Sequence, residues 1–203
     1  MADLITLTEY KQSESIQSVK DDTRIESLID SVSQLVKTYC GNSIVDFFNT
    51  AAEGQPHTNT KTEALTVNWS TNVLQLTESP VVLVHTVQER ETFTSAYKTL
   101  GATDYFVDSA TDCVYRVTSS GYNKNWATGP EAVKITYNAG YASTPADLKL
   151  AVIDLVTYYL KDEHKARQTL AGASIQNQGS TSQRNNVAFP DHIKRVLDLY
   201  KTY

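Results

Sequence analysis

Residues 133–160 read VKITYNAGYASTPADLKLAVIDLVTYYL, and this stretch decides the fold. It begins with the two-residue alternation of a strand, Val133, Ile135 and Tyr137 against Lys134 and Thr136. Asn138-Ala139-Gly140 then turns the chain. Thr144 is expected to cap a helix, and Pro145 suits a first helical position because its missing N–H has no partner to lose there. The helix that follows is apolar almost all round. Leu148, Ala151, Val152, Leu155 and Tyr159 make one face, and Leu150, Ile153, Val156, Tyr158 and Leu160 cover much of the rest. Such a helix must be covered on several sides. Either its own chain wraps it, with the β-rich region and the helix at 21–40, or a neighbouring subunit does. Leu150, Ile153, Tyr158 and Leu160 are the subunit-interface residues that the second alternative requires.

Upstream of this stretch, residues 63–137 keep the period of two. Leu65, Val67 and Trp69 alternate with Thr66 and Asn68, and further runs follow at 73–76, 80–87, 105–107, 113–117 and 132–137. Thr71-Asn72, Gly101, Ser119-Ser120-Gly121 and Gly129-Pro130 punctuate them as turns. Five to seven antiparallel strands are expected.

Before the strands, Ile25, Leu28, Ile29, Val32, Leu35, Val36 and Tyr39 recur three and four apart, so Asp21 to Cys40 is expected to be an amphipathic helix. Thr23 and Glu26 have the spacing of a capping box, and Gly41 suits a left-handed C-terminal cap. Thr8 to Gln12 reads as a short helical turn. The expected class is therefore α+β, a helical core with an inserted antiparallel β-module. Its parts are a helical core at 1–48 and 140–170, the β-module at 49–139, a polar flexible loop at 171–188 and a docking helix at 189–203. In that last helix Ile193, Val196, Leu197 and Tyr200 form one stripe, while Lys194, Arg195 and Lys201 keep the other side basic.

The chain's 203 residues and net charge of −5 suit a folded domain that is not a general nucleic-acid binder. The charge is uneven: residues 1–160 hold 11 Lys/Arg against 19 Asp/Glu, and residues 161–203 hold 7 against 4. An acidic body with a basic tail can steer like subunits head to tail. Cys40 and Cys113 lie far apart in no motif and are expected to be free thiols in a reducing compartment. The N-terminus has neither the basic nor the apolar segment of a signal peptide, and no apolar run approaches a membrane span.

No chemistry-bearing motif appears. His57, His85, His164 and His192 are not at metal-ligand spacing, and there is no nucleophile elbow, P-loop or dinucleotide fingerprint. No catalytic residue, metal or cofactor is expected. Tyrosine is abundant, at 12 residues against 5 Phe, which suits interfaces and also suits strands. A carbohydrate-binding β-module is the binding alternative, with Trp69, Trp126, Tyr122 and Tyr97 as stacking platforms.

Three segments in order resemble the head–tail connector (adaptor, or head-completion) proteins of tailed bacteriophages. They are Leu7 to Gly41 with its Tyr-Cys-Gly ending, Val133 to Tyr141 followed by Thr144-Pro145-Ala146-Asp147-Leu148-Lys149, and Phe189-Pro190 with a short closing helix. The resemblance implies a virion neck protein, assembled in the host cytoplasm without a membrane. Its copies would form a ring, twelve-fold in most members, below the portal, extending the DNA channel without sequence-specific DNA binding and docking the next neck or tail protein. A stopper-like tail-completion role is the nearest alternative. The resemblance also implies that the C-terminal segment binds the portal, here through Phe189, Pro190, Ile193, Lys194, Arg195, Val196, Leu197, Tyr200 and Tyr203. On that reading, a chain ending after Ala171 is expected to fold but to lose the portal.

Overall fold

A computed structural model describes residues 2–48, 58–161 and 189–202. The elements run α1 (Leu7–Ser13), α2 (Asp22–Cys40), β1 (Lys61–Val67), β2 (Val73–Gln75), β3 (Val81–Glu89), β4 (Lys98–Thr99), β5 (Tyr105–Asp108), β6 (Cys113–Arg116), β7 (Gly129–Ala139), α3 (Ala146–Leu160) and α4 (Asp191–Asp198). The fold is α+β, as expected, with seven antiparallel strands lying between α2 and α3 in the sequence. The expected flexible loop at 171–188 and Tyr203 lie outside the described residues.

Contacts divide the chain into two units, each described by itself. One comprises Met1–Asn42 with Thr144–Lys201 and holds all four helices; the other is Ser43–Ser143 and holds all the strands.

In the helical unit, α2 buries Ile25, Ile29, Val32 and Val36, the stripe that its period marks out. Gly41 closes it with φ 66°, a left-handed conformation that glycine adopts without steric cost. The expected Thr23–Glu26 capping box does not form, because Thr23 already lies inside the helix. The box forms one helix earlier: Thr6 and Glu9 cap α1 reciprocally, with Thr6 N–H donating to Glu9 at 2.8 Å. The Asp22 carboxylate is taken by Lys11 Nζ at 2.8 Å. α3 begins one residue later than expected. Pro145 is itself the cap residue, with extended ψ of 147°, and Thr144 makes no side-chain cap. α3 packs against both α2 and α4.

In the β unit, one sheet runs β1-β7-β3-β4 and the other β2-β6-β5. β7 is paired on both edges, and Ala132, Val133, Ile135, Tyr137 and Ala139 are all buried. It starts at Gly129, so Gly129-Pro130 opens the strand rather than preceding it as a turn; Gly129 pairs with Val67 across a bulge. Val67, Leu76, Val87, Val114 and Trp126 join these β7 residues in one core. Gly140 ends the strand at φ 94°, and a side chain there would overlap the Ile44 carbonyl oxygen. That oxygen also accepts Tyr141 N–H at 2.7 Å, which accounts for a glycine in the Ala-Gly-Tyr turn.

Candidate assembly surfaces

The closing helix meets the rest of the helical unit through its apolar stripe. Phe189, Ile193 and Leu197 are buried, and Phe189 lies edge-on to the Tyr39 ring at 5.0 Å. Polar contacts frame this seam. Tyr39 Oη donates to Asp198 at 2.6 Å, Tyr200 Oη donates to Asp147 at 2.6 Å, and the Lys201 ammonium lies 5.2 Å from the Tyr39 ring centroid. The Tyr200 hydroxyl holds the Asp147 carboxyl below its ordinary value. Burial pushes the Cys40 thiol up to about 11, with Asp198 adding to the shift, so it is protonated and unreactive at neutral pH.

Of the expected partner-binding residues on this helix, Phe189, Ile193 and Leu197 therefore lie in the chain's own core. Pro190, Lys194, Val196 and Tyr200 are half-buried and Arg195 is exposed. The sequence reading missed Leu199, which is 77% exposed just past the helix end. Its position off the i, i+3, i+4 stripe was the available signal. A chain ending after Ala171, expected to fold, would lose these three buried side chains from its helical core.

α3 is covered mainly within the chain. Leu148, Ala151, Val152, Ile153, Leu155 and Val156 are buried. Ile153, expected at a subunit interface, is among them. Leu150 is 59% exposed, while Tyr158 and Leu160 are half-buried. Leu150 is thus the large apolar side chain that α3 leaves outside.

The β unit has its own exposed aromatic surface. Trp69, Phe93, Phe106 and Tyr122 are exposed. Phe106 sits 6.4 Å from the Tyr115 ring, and with Tyr105, Asp108, Val117, Gly121 and Asn123 they line an open groove of about 510 Å³. Period two made Phe106 legible as the outward residue between Tyr105 and Val107. As a set, the expected stacking platforms do not hold. Trp126 is only 2% exposed and belongs to the core, with the Arg116 guanidinium 5.8 Å from its ring centroid, and Tyr97 is half-buried with its hydroxyl donating to the Glu131 carbonyl at 2.7 Å.

Deeper in the same unit lies a polar network. Tyr137 Oη donates to Glu63 at 2.5 Å, Thr77 donates to the same carboxylate, and Lys61 Nζ reaches Glu78 at 2.7 Å and Glu63 at 3.6 Å. Burial first, and the Glu63 carboxylate second, raise the Tyr137 phenol far above its ordinary value. Glu78 also accepts Ser43 N–H at 2.8 Å and Ser43 Oγ at 2.7 Å. His85 pairs with Asn138 across neighbouring strands at 2.5 Å. Among the described residues no three His, Cys, Asp or Glu side chains could hold a metal ion, and no helix is long and apolar enough to cross a membrane.

A family model described as "Head completion protein" matches residues 3–203. The fold is similar to a chain in the neck of an empty gene transfer agent particle, computed with C6 symmetry. That match has a TM-score of 0.58 and 16% identity, covering 98% of this chain and 90% of that one. A chain in the neck of the native particle, computed with C12 symmetry, gives a TM-score of 0.56 and 15% identity over 100% of this chain and 94% of that one. A chain in the virion of the native particle gives 0.58 and 16%, over 98% and 90%. No curated protein sequence matches.

Proposed function

Because this chain belongs to the head completion protein family, we propose that it is a non-enzymatic structural component of a phage-type neck, located in the virion between portal and tail. Copies form a ring that extends the DNA channel and docks the next neck or tail component. One observation carries this reading: the family match and the shared fold with neck chains both extend over essentially the whole chain, so no separate catalytic module is left over. Those neck particles were computed with six-fold and twelve-fold symmetry, which supports a closed ring of head-to-tail contacts here.

In this assembly the helical unit builds the ring wall, with Leu150 and the half-buried Tyr158 and Leu160 meeting the neighbouring copy. The outward side of α4, led by Arg195 with Lys194 and followed by Leu199, meets the portal. Phe189, Ile193 and Leu197 support that contact from beneath by fixing α4 in place.

The test is to mix the full chain with purified portal rings and image the product by electron microscopy. An added ring of density on the portal is expected. Lys194→Glu with Arg195→Glu is expected to abolish it while leaving circular dichroism unchanged. Failure of the wild type to join the portal, or its joining a tail tube instead, would overturn the reading.

A further inference from the structure

A cavity of about 270 Å³ in the β unit has Arg90, Lys98, Arg116, Lys124, Glu89 and Glu91 in its lining. Four of these are cations and two are carboxylates, in a chain whose net charge is −5. The walls are built. Arg90 donates to the carbonyls of Phe93, Pro130 and Glu131, each at 3.0 Å, and its guanidinium lies 4.7 Å from both the Phe93 and the Tyr97 ring centroids. The loop between β3 and β4 is thereby held in place before any ligand arrives.

Arg116 is the unusual member. Its side chain is only 6% exposed. Nε donates to Glu89 at 3.3 Å, and Nη1 donates to the carbonyls of Asp104 at 2.5 Å and Val117 at 2.8 Å. Nη2 makes no hydrogen bond among the described residues and is open to solvent, which leaves it available to a ligand. Lys98 and Lys124 are exposed and form no ion pair among the described residues.

We propose that this cavity is a carboxylate-binding site that receives an acidic side chain from a peptide segment of a partner protein, with Arg116 Nη2 as the fixed donor and Lys98 and Lys124 as flanking charges. The buried guanidinium loses little freedom on pairing, which favours a single, well-placed oxyanion. Electrostatics favours a peptide over nucleic acid. A phosphate backbone would extend its charges beyond the cavity across Asp104 and Glu131, whereas one acidic side chain presents its charge at one point.

The site is tested on the full chain with a capped alanine peptide carrying a single glutamate, a thymidine dinucleotide with one phosphate serving as the second probe of equal charge. Titrations are followed by tryptophan fluorescence and by the Arg116 Nε–H resonance. Saturable peptide binding is expected, weaker in salt and weakened at least about tenfold by Lys98→Glu with Lys124→Glu. Thermal melting shows whether that variant is folded; if it is not, the wild-type Arg116 resonance still decides, by shifting or not shifting on saturation. Absence of saturable peptide binding, unchanged affinity in the folded variant, or tighter binding of the dinucleotide would each overturn the proposal.

Discussion

The two units of this chain bury their polar groups in different ways. In the helical unit the seams among α2, α3 and α4 are apolar, and ion pairs such as Lys11–Asp22 and Glu9–Lys149 lie towards the surface. In the β unit, Glu63, Glu78, Arg116 and Asn138 are themselves buried. The reason lies in the backbone. A helix satisfies its own amides and carbonyls, so its packing faces can be purely apolar. The β unit contains long irregular connections whose backbone groups must find distant partners. Glu78 takes Ser43 N–H, Asp112 takes Val81 N–H at 2.6 Å and Glu89 takes Ala127 N–H at 2.7 Å, while the Asn138 amide serves the carbonyls of Phe47, Thr58 and Asn59. The helical unit buries a single charged side chain among its described residues, Lys37, whose ammonium donates to the Ala2 carbonyl at 2.6 Å, whereas the β unit buries Glu63, Glu78 and Arg116.

The contrast can be broken at its strongest point by Leu197→Ala, which opens a cavity in the α4 seam. A loss of roughly 2–5 kcal/mol in urea unfolding is expected, against under about 0.5 kcal/mol for the exposed Leu199→Ala. Equal losses at the two positions would mean that α4 is not packed as described. Next in size, Glu78→Ala strips Ser43 of its acceptor and Lys61 of its counter-ion. It is expected to cost about 1–3 kcal/mol, measured as a shift in the midpoint of denaturation. A neutral result would show that the buried charges add nothing to the β unit. Tyr137→Phe keeps the ring and removes only the hydroxyl between Glu63 and the Glu78 amide, with a smaller expected loss of about 1 kcal/mol.

The smallest expected effect sharpens the comparison from the helical side. The Lys149 ammonium first, then Thr6 N–H, hold the Glu9 carboxyl below its ordinary 4.5. A depressed acid contributes stability that is present above its unfolded value and lost as pH falls through the folded one. The link from α1 to α3 is therefore intact at neutral pH and weakens in acid below 4.5. Denaturation followed across that range should show a shallow slope that Glu9→Gln flattens; a slope unchanged in that variant would place the titrating group elsewhere.

The legibility of the sequence varied in the same way. The α2 stripe and its glycine stop were legible because period and cap are local properties. β7 is legible in kind but not in its start, since Gly129-Pro130 carries turn chemistry even where a bulge admits it to a sheet. The surfaces were much less legible. Trp126 and Trp69 are the same residue type in similar strand-rich contexts, yet one is core and the other exposed. Arg116 gave no local sign that it would be buried between Glu89 and the Asp104 and Val117 carbonyls.

The sequence by itself determined the elements of this protein, their order and the helical–strand–helical class, because periodicity, caps and turns act over a few residues. It also carried enough motif in three segments to indicate the family. Only the tertiary structure decided that α4 lies on its own helical unit, that Ile153 is inside while Leu150 is outside, and that a half-bonded arginine lines a basic cavity. Those outcomes depend on burial and hydrogen-bond partners supplied from distant parts of the chain, and short-range pattern does not encode which distant surface arrives.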